Sequence, residues 1–292
     1  MMEQTSRQFD PRLTPAKGDM AAAHLRGEVA ASQYITGQAM QVIASSSALR
    51  GELDCQAPQL TELICGEPFV VYEDVGGWAW GQSGFDGYVG YTLRNALAPD
   101  RLSPTHMVTA LFAHLYAAPT VKAGARKLLP MTARLHIDEL SEDGRYAHDA
   151  DSDSWVSARH VAPLEALDDD PVAVAEKFYA SPYLWGGKTA AGLDCSALIQ
   201  IAFSRTGVLL PRDSDLQLVA CRRMGCEIDP ANARRGDIAF FPGHVGIMMD
   251  PETLLHANAT HMAVTANPLE DVIGWTAKDS ATPFFGLYRL GG

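Results

Sequence analysis

The sequence predicts an α+β protein in which a short helical segment and two small β-barrels precede a domain of helices packed on an antiparallel sheet. Apolar residues at roughly helical spacing indicate the N-terminal helical segment, residues 1–36. Short strand-like runs separated by Gly, Asp and Pro indicate the two barrels, residues 37–98 and 99–166. Helical patterns followed by a meander of strands indicate the last domain, residues 167–292.

Two similar stretches make up the β-rich region. Each has a Leu-containing approach, a strand, an acidic turn, a second strand and a final strand with an aromatic residue and Val, "GYVGY" in one and "SWVSA" in the other. Several short strands in a unit of this size are typical of a small barrel. The sequence therefore predicts a duplicated barrel.

The last domain begins with three predicted helices. Asp170 and Pro171 form an N-cap and first-turn pair, a second helix follows Asp194, and a third runs from Asp213 or Ser214 to Gly225. Five short apolar runs then predict strands at 238–241, 244–249, 254–258, 263–266 and 284–290.

Charge and hydropathy restrict the possible partners. The formal net charge is −12 and the pI is about 5.1, so the chain repels nucleic acid and other polyanions. No stretch resembles a signal-peptide core or a membrane span. We expect a cytoplasmic protein that binds neither nucleic acid nor a membrane.

The stretch "GLDCSALIQIAF" places a cysteine at the start of the second helix. Asp194 is a good N-cap residue, and Cys195 then lies in the first turn, where free N–H groups and the helix dipole favour a thiolate. The alternative is a buried core cysteine. The remaining cysteines are interpreted as packing residues: Cys55, Cys65, Cys221 and Cys226.

Two histidines on adjacent strands supply a base. Pairing Met249 with Thr253 would place Gly246 opposite His256 and make His244 a diagonal neighbour of His256. A cysteine at a helix start beside such a pair forms a nucleophile, a base and an orienting group. Metal binding by the two histidines with Asp250 is the alternative, but no HExxH or paired CxxC spacing supports it. We expect no metal and no cofactor.

Four motifs, "YLWGGKTAAGLDCSALI", "RRGDIAFF", "HVGIMM" and "LLHAN", resemble the NlpC family of papain-like bacterial cell-wall cysteine peptidases. The resemblance implies Cys195 as nucleophile, His244 as general base and His256 as the orienting residue. It also implies that Tyr183 lines the active site and contributes to the oxyanion hole. Ala197 stands where the family commonly has glycine, a change that suits a helix.

The barrels are similar to the bacterial SH3-like domains fused to such peptidases, and the whole chain resembles γ-D-glutamyl-L-diamino acid endopeptidases. This resemblance implies cleavage of peptidoglycan-derived peptides with a free N-terminal L-Ala, in cell-wall recycling. It implies that the amine is bound by Asp194, Ser196 and Ser214, and by Glu67 with Tyr88 or Tyr91 of the first barrel. A purely structural use of each of these residues is the alternative.

Two other functions remain open. One is a D,L-endopeptidase or amidase that acts on intact cell wall. The other is a wall-peptide-binding protein without catalytic activity, against which the presence of Cys195, His244 and His256 argues.

Overall fold

The computed structural model of the protein describes residues 9–291. The chain forms two compact units, Met1–Leu102 and Ser103–Gly292. Within the described residues, no helix combines the length and the apolar character needed to cross a membrane.

The start of the chain folds as a small sheet, which corrects the predicted helical segment of residues 1–36. Its three strands are β1 (Ala16–Lys17), β2 (Met20–Ala22) and β3 (Gln33–Ile35), with a single 3-10 turn at Ala23–Leu25. Gly18 and Gly27 adopt positive φ angles of 55° and 88°, which interrupt any helix through this segment. Residues 1–8 lie outside the described part of the chain.

The first barrel is a seven-stranded sheet in the order β10-β4-β7-β8-β9-β5-β6. Alternate side chains of its strands face a common core that includes Val42, Leu49 and Phe69. The strands are β4 (Gln38–Val42), β5 (Ser46–Arg50), β6 (Gln59–Ile64), β7 (Pro68–Val75), β8 (Trp78–Ser83), β9 (Val89–Leu93) and β10 (Leu97–Ala98).

The second β-rich region consists of a five-stranded sheet, β13-β12-β17-β16-β15, and a three-stranded sheet, β14-β11-β18. The strands are β11 (His106–Val108), β12 (Phe112–Tyr116), β13 (Ala125–Pro130), β14 (Arg134–Leu135), β15 (Ile137–Leu140), β16 (Tyr146–Asp149), β17 (Ser154–Ser157) and β18 (Val161–Pro163).

This region shares its interior with the last domain. Met131, 2% exposed, belongs to the same core cluster as the helices of the last domain, and Leu111 packs against that cluster. Arg205, at the end of a helix of the last domain, is 3% exposed and donates to Asp168 and to the Met107 sulfur.

The last domain packs three of its helices and a six-stranded antiparallel sheet around one core. The sheet order is β21-β26-β22-β23-β24-β25. Its elements are α1 (Pro171–Glu176), β19 (Lys188–Thr189), β20 (Gly192–Leu193), α2 (Cys195–Ser204), α3 (Ser214–Met224), β21 (Gly225–Ile228), β22 (Ile238–Phe241), β23 (His244–Met248), β24 (Thr253–Asn258), β25 (Ala263–Pro268), α4 (Leu269–Thr276) and β26 (Gly286–Leu290).

The helix boundaries follow the predicted caps. Asp170 and Asp194 accept backbone N–H groups at the starts of α1 and α2, and Gly225 ends α3. In this domain the structure adds four elements that the sequence did not predict: β19, β20, β21 and α4. Helix α2 is buried on every side from Cys195 to Phe203.

Candidate active site

Cys195 is the first residue of α2, a helix that packs against the strand that begins with His244. The Asp194 side chain accepts the Ala197 N–H at 2.8 Å and so caps the helix. The backbone N–H groups of Val245 and Ser196 point toward the Cys195 sulfur and favour its charged form. Val245 follows His244 in the chain, so this contact sets the sulfur against the backbone of the strand that carries the predicted base.

The thiol is nevertheless protonated at neutral pH. Cys195 is 6% exposed, and burial, followed by the negative charge of Asp194, raises its pKa to about 12. The helix N-terminus alone favours a thiolate, but the cost of removing the charged sulfur from water outweighs that field.

The predicted register of the histidine strands is confirmed. Ile247 pairs with Leu255 in the β23–β24 ladder, and the Met249 N–H donates to the Thr253 carbonyl at 2.8 Å. The same register sets Gly246 opposite His256. A Cβ at position 246 would lie 3.0 Å from the His256 Cβ and 2.8 Å from the Leu254 Cγ, so this position accepts only glycine without a shift of the strands.

His244 and His256 are directly hydrogen-bonded. His244 Nε2 and His256 Nδ1 are 2.7 Å apart. Burial lowers the pKa of His244 to about 3 and that of His256 to about 4, and the proximity of His256 adds to the effect on His244. Both imidazoles are therefore neutral at neutral pH, and each carries one ring proton.

Two residues that the sequence did not single out contact His256. Asn267 Oδ1 lies 3.1 Å from His256 Nε2. The Trp275 ring stacks on the imidazole, with ring centroids 6.4 Å apart and an interplanar angle of 18°. Asn267 comes from the end of β25 and Trp275 from the unpredicted α4, so neither residue belongs to a recognisable local motif.

Tyr183 reaches the same place from the loop before β19. Burial raises the pKa of its hydroxyl, and the charges of Cys195 and Asp194 raise it further. The hydroxyl therefore remains protonated beside the sulfur and is able to donate a hydrogen bond to an oxyanion formed there.

Asp194 and Ser196 belong to a buried polar cluster around Arg212. Arg212 is 1% exposed and donates to both Asp194 oxygens, at 2.9 and 2.7 Å, and to the Ser196 hydroxyl at 2.8 Å. Ser214 is half-buried at the start of α3, and Gln217 of that helix donates to the Ser196 carbonyl at 2.9 Å. The cluster ties the residues on either side of Cys195 to the following helix.

In the first unit, the predicted amine-binding residues have different surroundings. Glu67 is 2% exposed and accepts the Ile64 N–H at 3.0 Å, while Tyr88 is 3% exposed in the barrel core. The Tyr91 hydroxyl lies 2.5 Å from the Lys17 ammonium.

The Lys17 ammonium is bound within the first unit by several groups, one of which is a carboxylate that the sequence did not predict to bind an amine. Its ammonium contacts the Glu73 carboxylate and lies 4.7 Å from the Trp80 ring centroid and 4.6 Å from that of Tyr91. A carboxylate, a hydroxyl and two aromatic faces are the groups that bind a primary amine.

Metal ligands do not cluster in the part of the chain that the structure describes. Among residues 9–291, no group of three or more His, Cys, Asp or Glu side chains is arranged to hold a metal ion.

These residues define the class of protein as a cysteine peptidase. The site combines a nucleophile at a buried helix start with a neutral histidine pair on adjacent strands and a protonated tyrosine. Residues 180–278 match the NlpC/P60 family, and residues 49–97 match the bacterial dipeptidyl-peptidase SH3 domain. The chain is therefore a cysteine peptidase that carries an NlpC/P60 domain after a bacterial SH3 domain.

Two relatives align with this chain over most of its length. The chain is 26% identical to "Dipeptidyl-peptidase 6" of Lysinibacillus sphaericus, over 85% of this chain and 98% of that protein. It is 25% identical to "Gamma-D-glutamyl-L-lysine dipeptidyl-peptidase" of Bacillus cereus, over 72% of this chain and 70% of that protein.

The fold is also that of a solved relative. A crystal structure of an NlpC/P60 family protein from Bacillus cereus matches with a TM-score of 0.71 and 19% identity, over 87% of this chain and 99% of that one. This similarity supports the predicted fold class, apart from the N-terminal segment corrected above.

Proposed function

We propose that this protein hydrolyses the γ-D-glutamyl–L-diamino acid bond of peptidoglycan-derived peptides that begin with a free L-Ala, and that it serves cell-wall peptide recycling in the cytoplasm. The observation that carries the proposal is the 2.7 Å contact between His244 and His256 on the strands beside Cys195. Two relatives that align along most of the chain are named as dipeptidyl-peptidases, which supports the choice of substrate.

The reaction is an acyl transfer in which His244 moves one proton. His244 takes the Cys195 thiol proton while the sulfur attacks the γ-carbonyl carbon of D-Glu. The resulting oxyanion accepts hydrogen bonds from the Cys195 backbone N–H and the Tyr183 hydroxyl. His244 then protonates the leaving amine of the diamino acid, and a thioester remains on the sulfur.

Hydrolysis completes the cycle. His244 removes a proton from water while the water oxygen attacks the thioester carbonyl. The carbon–sulfur bond then breaks, His244 returns the proton to the Cys195 sulfur, and L-Ala-D-Glu is released. Because Cys195 and His244 are both neutral before attack, proton transfer accompanies bond formation instead of preceding it.

The test is turnover of L-Ala-γ-D-Glu-diaminopimelate by the purified protein, followed by mass spectrometry. We expect L-Ala-D-Glu and free diaminopimelate, and no products from the Cys195→Ala variant. Binding of the peptide without turnover would instead identify a wall-peptide-binding protein.

The free amine is tested with the N-acetylated peptide. Acetylation leaves a buried carboxylate without its charged partner, which costs roughly 2–5 kcal/mol, so kcat/KM is expected to fall by roughly 30-fold or more. The Glu67→Gln variant, which removes a carboxylate that is 2% exposed, should relax this discrimination. Equal cleavage of both peptides would favour an endopeptidase or amidase of intact wall.

A further inference from the structure

We infer that Asn267, held by Thr265 and Asn258, is a positioning residue that sets the tautomers of His256 and His244 and so leaves His244 Nδ1 free to act as the base. The inference rests on the catalytic roles proposed above. Its basis is a continuous chain of hydrogen bonds along β24 and β25.

This series of hydrogen bonds starts at backbone groups, whose donor and acceptor roles are fixed. Asn258 Oδ1 accepts the His261 backbone N–H at 2.9 Å. Its Nδ2 is 3.4 Å from each of two carbonyl oxygens, those of His256 and Ala263. An N–H only donates and a carbonyl only accepts, so the amide orientation of Asn258 follows from its neighbours.

The next two hydrogen bonds determine the orientation of the Asn267 amide. With its amide so oriented, Asn258 Nδ2 donates to Thr265 Oγ1 at 2.8 Å. The Thr265 hydroxyl in turn donates its one hydrogen to Asn267 Oδ1 at 2.7 Å. The same Asn267 oxygen lies 3.1 Å from His256 Nε2.

The histidine tautomers follow from that oxygen. His256 Nε2 must carry the proton that Asn267 Oδ1 accepts, which leaves His256 Nδ1 as a lone pair. That lone pair accepts from His244 Nε2 at 2.7 Å, so His244 holds its proton on Nε2 and keeps a lone pair on Nδ1. A thiol proton from Cys195 can be taken only by the nitrogen with the lone pair.

The tautomer matters because neither ring is charged at neutral pH. Burial lowers the pKa of both imidazoles, and a neutral imidazole has one donor and one acceptor. If His256 held its proton on Nδ1, it would face His244 Nε2 with a donor, and His244 would move its own proton to Nδ1. The base would then carry a hydrogen where the thiol proton has to go.

Two variants remove links of the chain, and a third retains the acceptor. Asn267→Leu removes the oxygen and Thr265→Val removes the hydroxyl hydrogen that orients it. Asn267→Asp keeps an acceptor oxygen at the same size. Thr206→Val is the matched control, because its half-buried hydroxyl bonds only the Phe203 carbonyl at 2.9 Å, at the far end of α2.

The direct readout is the imidazole ¹⁵N spectrum of the full-length protein at neutral pH, which distinguishes Nε2–H from Nδ1–H without any substrate. We expect Nε2–H on both histidines in the native protein, Asn267→Asp and Thr206→Val. We expect a mixture of tautomers in Asn267→Leu and Thr265→Val.

Kinetics provide the second readout. Asn267→Leu and Thr265→Val should lower kcat by at least tenfold with little change in KM, toward the roughly 10⁴-fold loss that a wrong tautomer causes in a serine triad. In Asn267→Asp the new carboxylate should raise the pKa of His256, against the lowering by burial and by His261, and so move the acid limb of kcat to higher pH.

The results separate this inference from the proposed function. An Nδ1–H tautomer of His256 in the native protein, or unchanged tautomers and kcat in Asn267→Leu, would overturn the inference. Failure of the native protein to cleave the peptide would count against the proposed function, while the spectra would still decide whether Asn267 sets the tautomers.

Discussion

The buried ion pair beneath the nucleophile is open to a direct test with Arg212→Met. Arg212 donates to both Asp194 oxygens and to Ser196, and it is 1% exposed. Methionine retains much of the side-chain volume but leaves the Asp194 carboxylate buried and without its cation. Removing one member of a buried pair costs about 3–5 kcal/mol, or roughly 6–20 °C in Tm for a unit of this size.

Urea unfolding and calorimetry measure that loss, and a second variant identifies its cause. Asp194→Asn retains a good N-cap side chain without the charge, so the double variant should be more stable than Arg212→Met alone. Arg145→Met, which breaks the ion pair of an arginine side chain 78% exposed, should leave Tm unchanged. A loss below about 1 kcal/mol for Arg212→Met, or a double variant no more stable than the single one, would refute this reasoning.

Three further outcomes are expected. Burial raises the pKa of Cys195 to about 12, so the rate of its alkylation by iodoacetamide should increase steadily from pH 7 to pH 10, by ~tenfold per pH unit. Mass spectrometry follows the alkylation of each cysteine separately. A rate that has already reached a plateau at pH 6 would show a thiolate instead. The pKa values of His244 and His256 are lowered to about 3 and 4, so between about pH 6.5 and these values the unfolded state binds more protons than the folded state. The free energy of unfolding, measured in urea, should therefore decrease as the pH is lowered through this range, by about 1.4 kcal/mol per pH unit for each histidine. A variant with both His244→Gln and His256→Gln that shows the same slope as the native protein would contradict this assignment. Gly246→Ala should destabilise the protein by about 1–3 kcal/mol, because the added methyl group overpacks against His256 and Leu254, and it should also lower kcat. Gly274→Ala is the control, since a Cβ there has no neighbour within 4 Å, and it should change neither the stability nor kcat.

Local and periodic features were predictable from the sequence. Asp170, Asp194 and Gly225 stop or start helices by capping, which depends on neighbouring residues only. The His244–His256 register followed from strand alternation and the short turn between the strands. These features required no knowledge of tertiary contacts.

Features that depend on tertiary contacts were not predictable in the same way. Alanine and leucine near residue 21 fit a helix as well as a small buried sheet, and the glycines at 18 and 27 decided between them. Asn267 and Arg212 act through partners 11 and 18 residues away. The pKa of Cys195 depends on how deeply the packed domain buries it, which a helix start alone does not indicate.

The second β-rich region and the last domain share an interior, and this affects whether the peptidase domain can be separated from the residues before it. Met131 fills part of the last domain's core, and Arg205 reaches back to Met107. A fragment that begins at residue 167 would lack Met131 and the contact between Arg205 and Met107, while the ion pair between Arg205 and Asp168 would remain. The two regions therefore share one core, and a peptidase domain separated from this β-rich region would lose part of its packing.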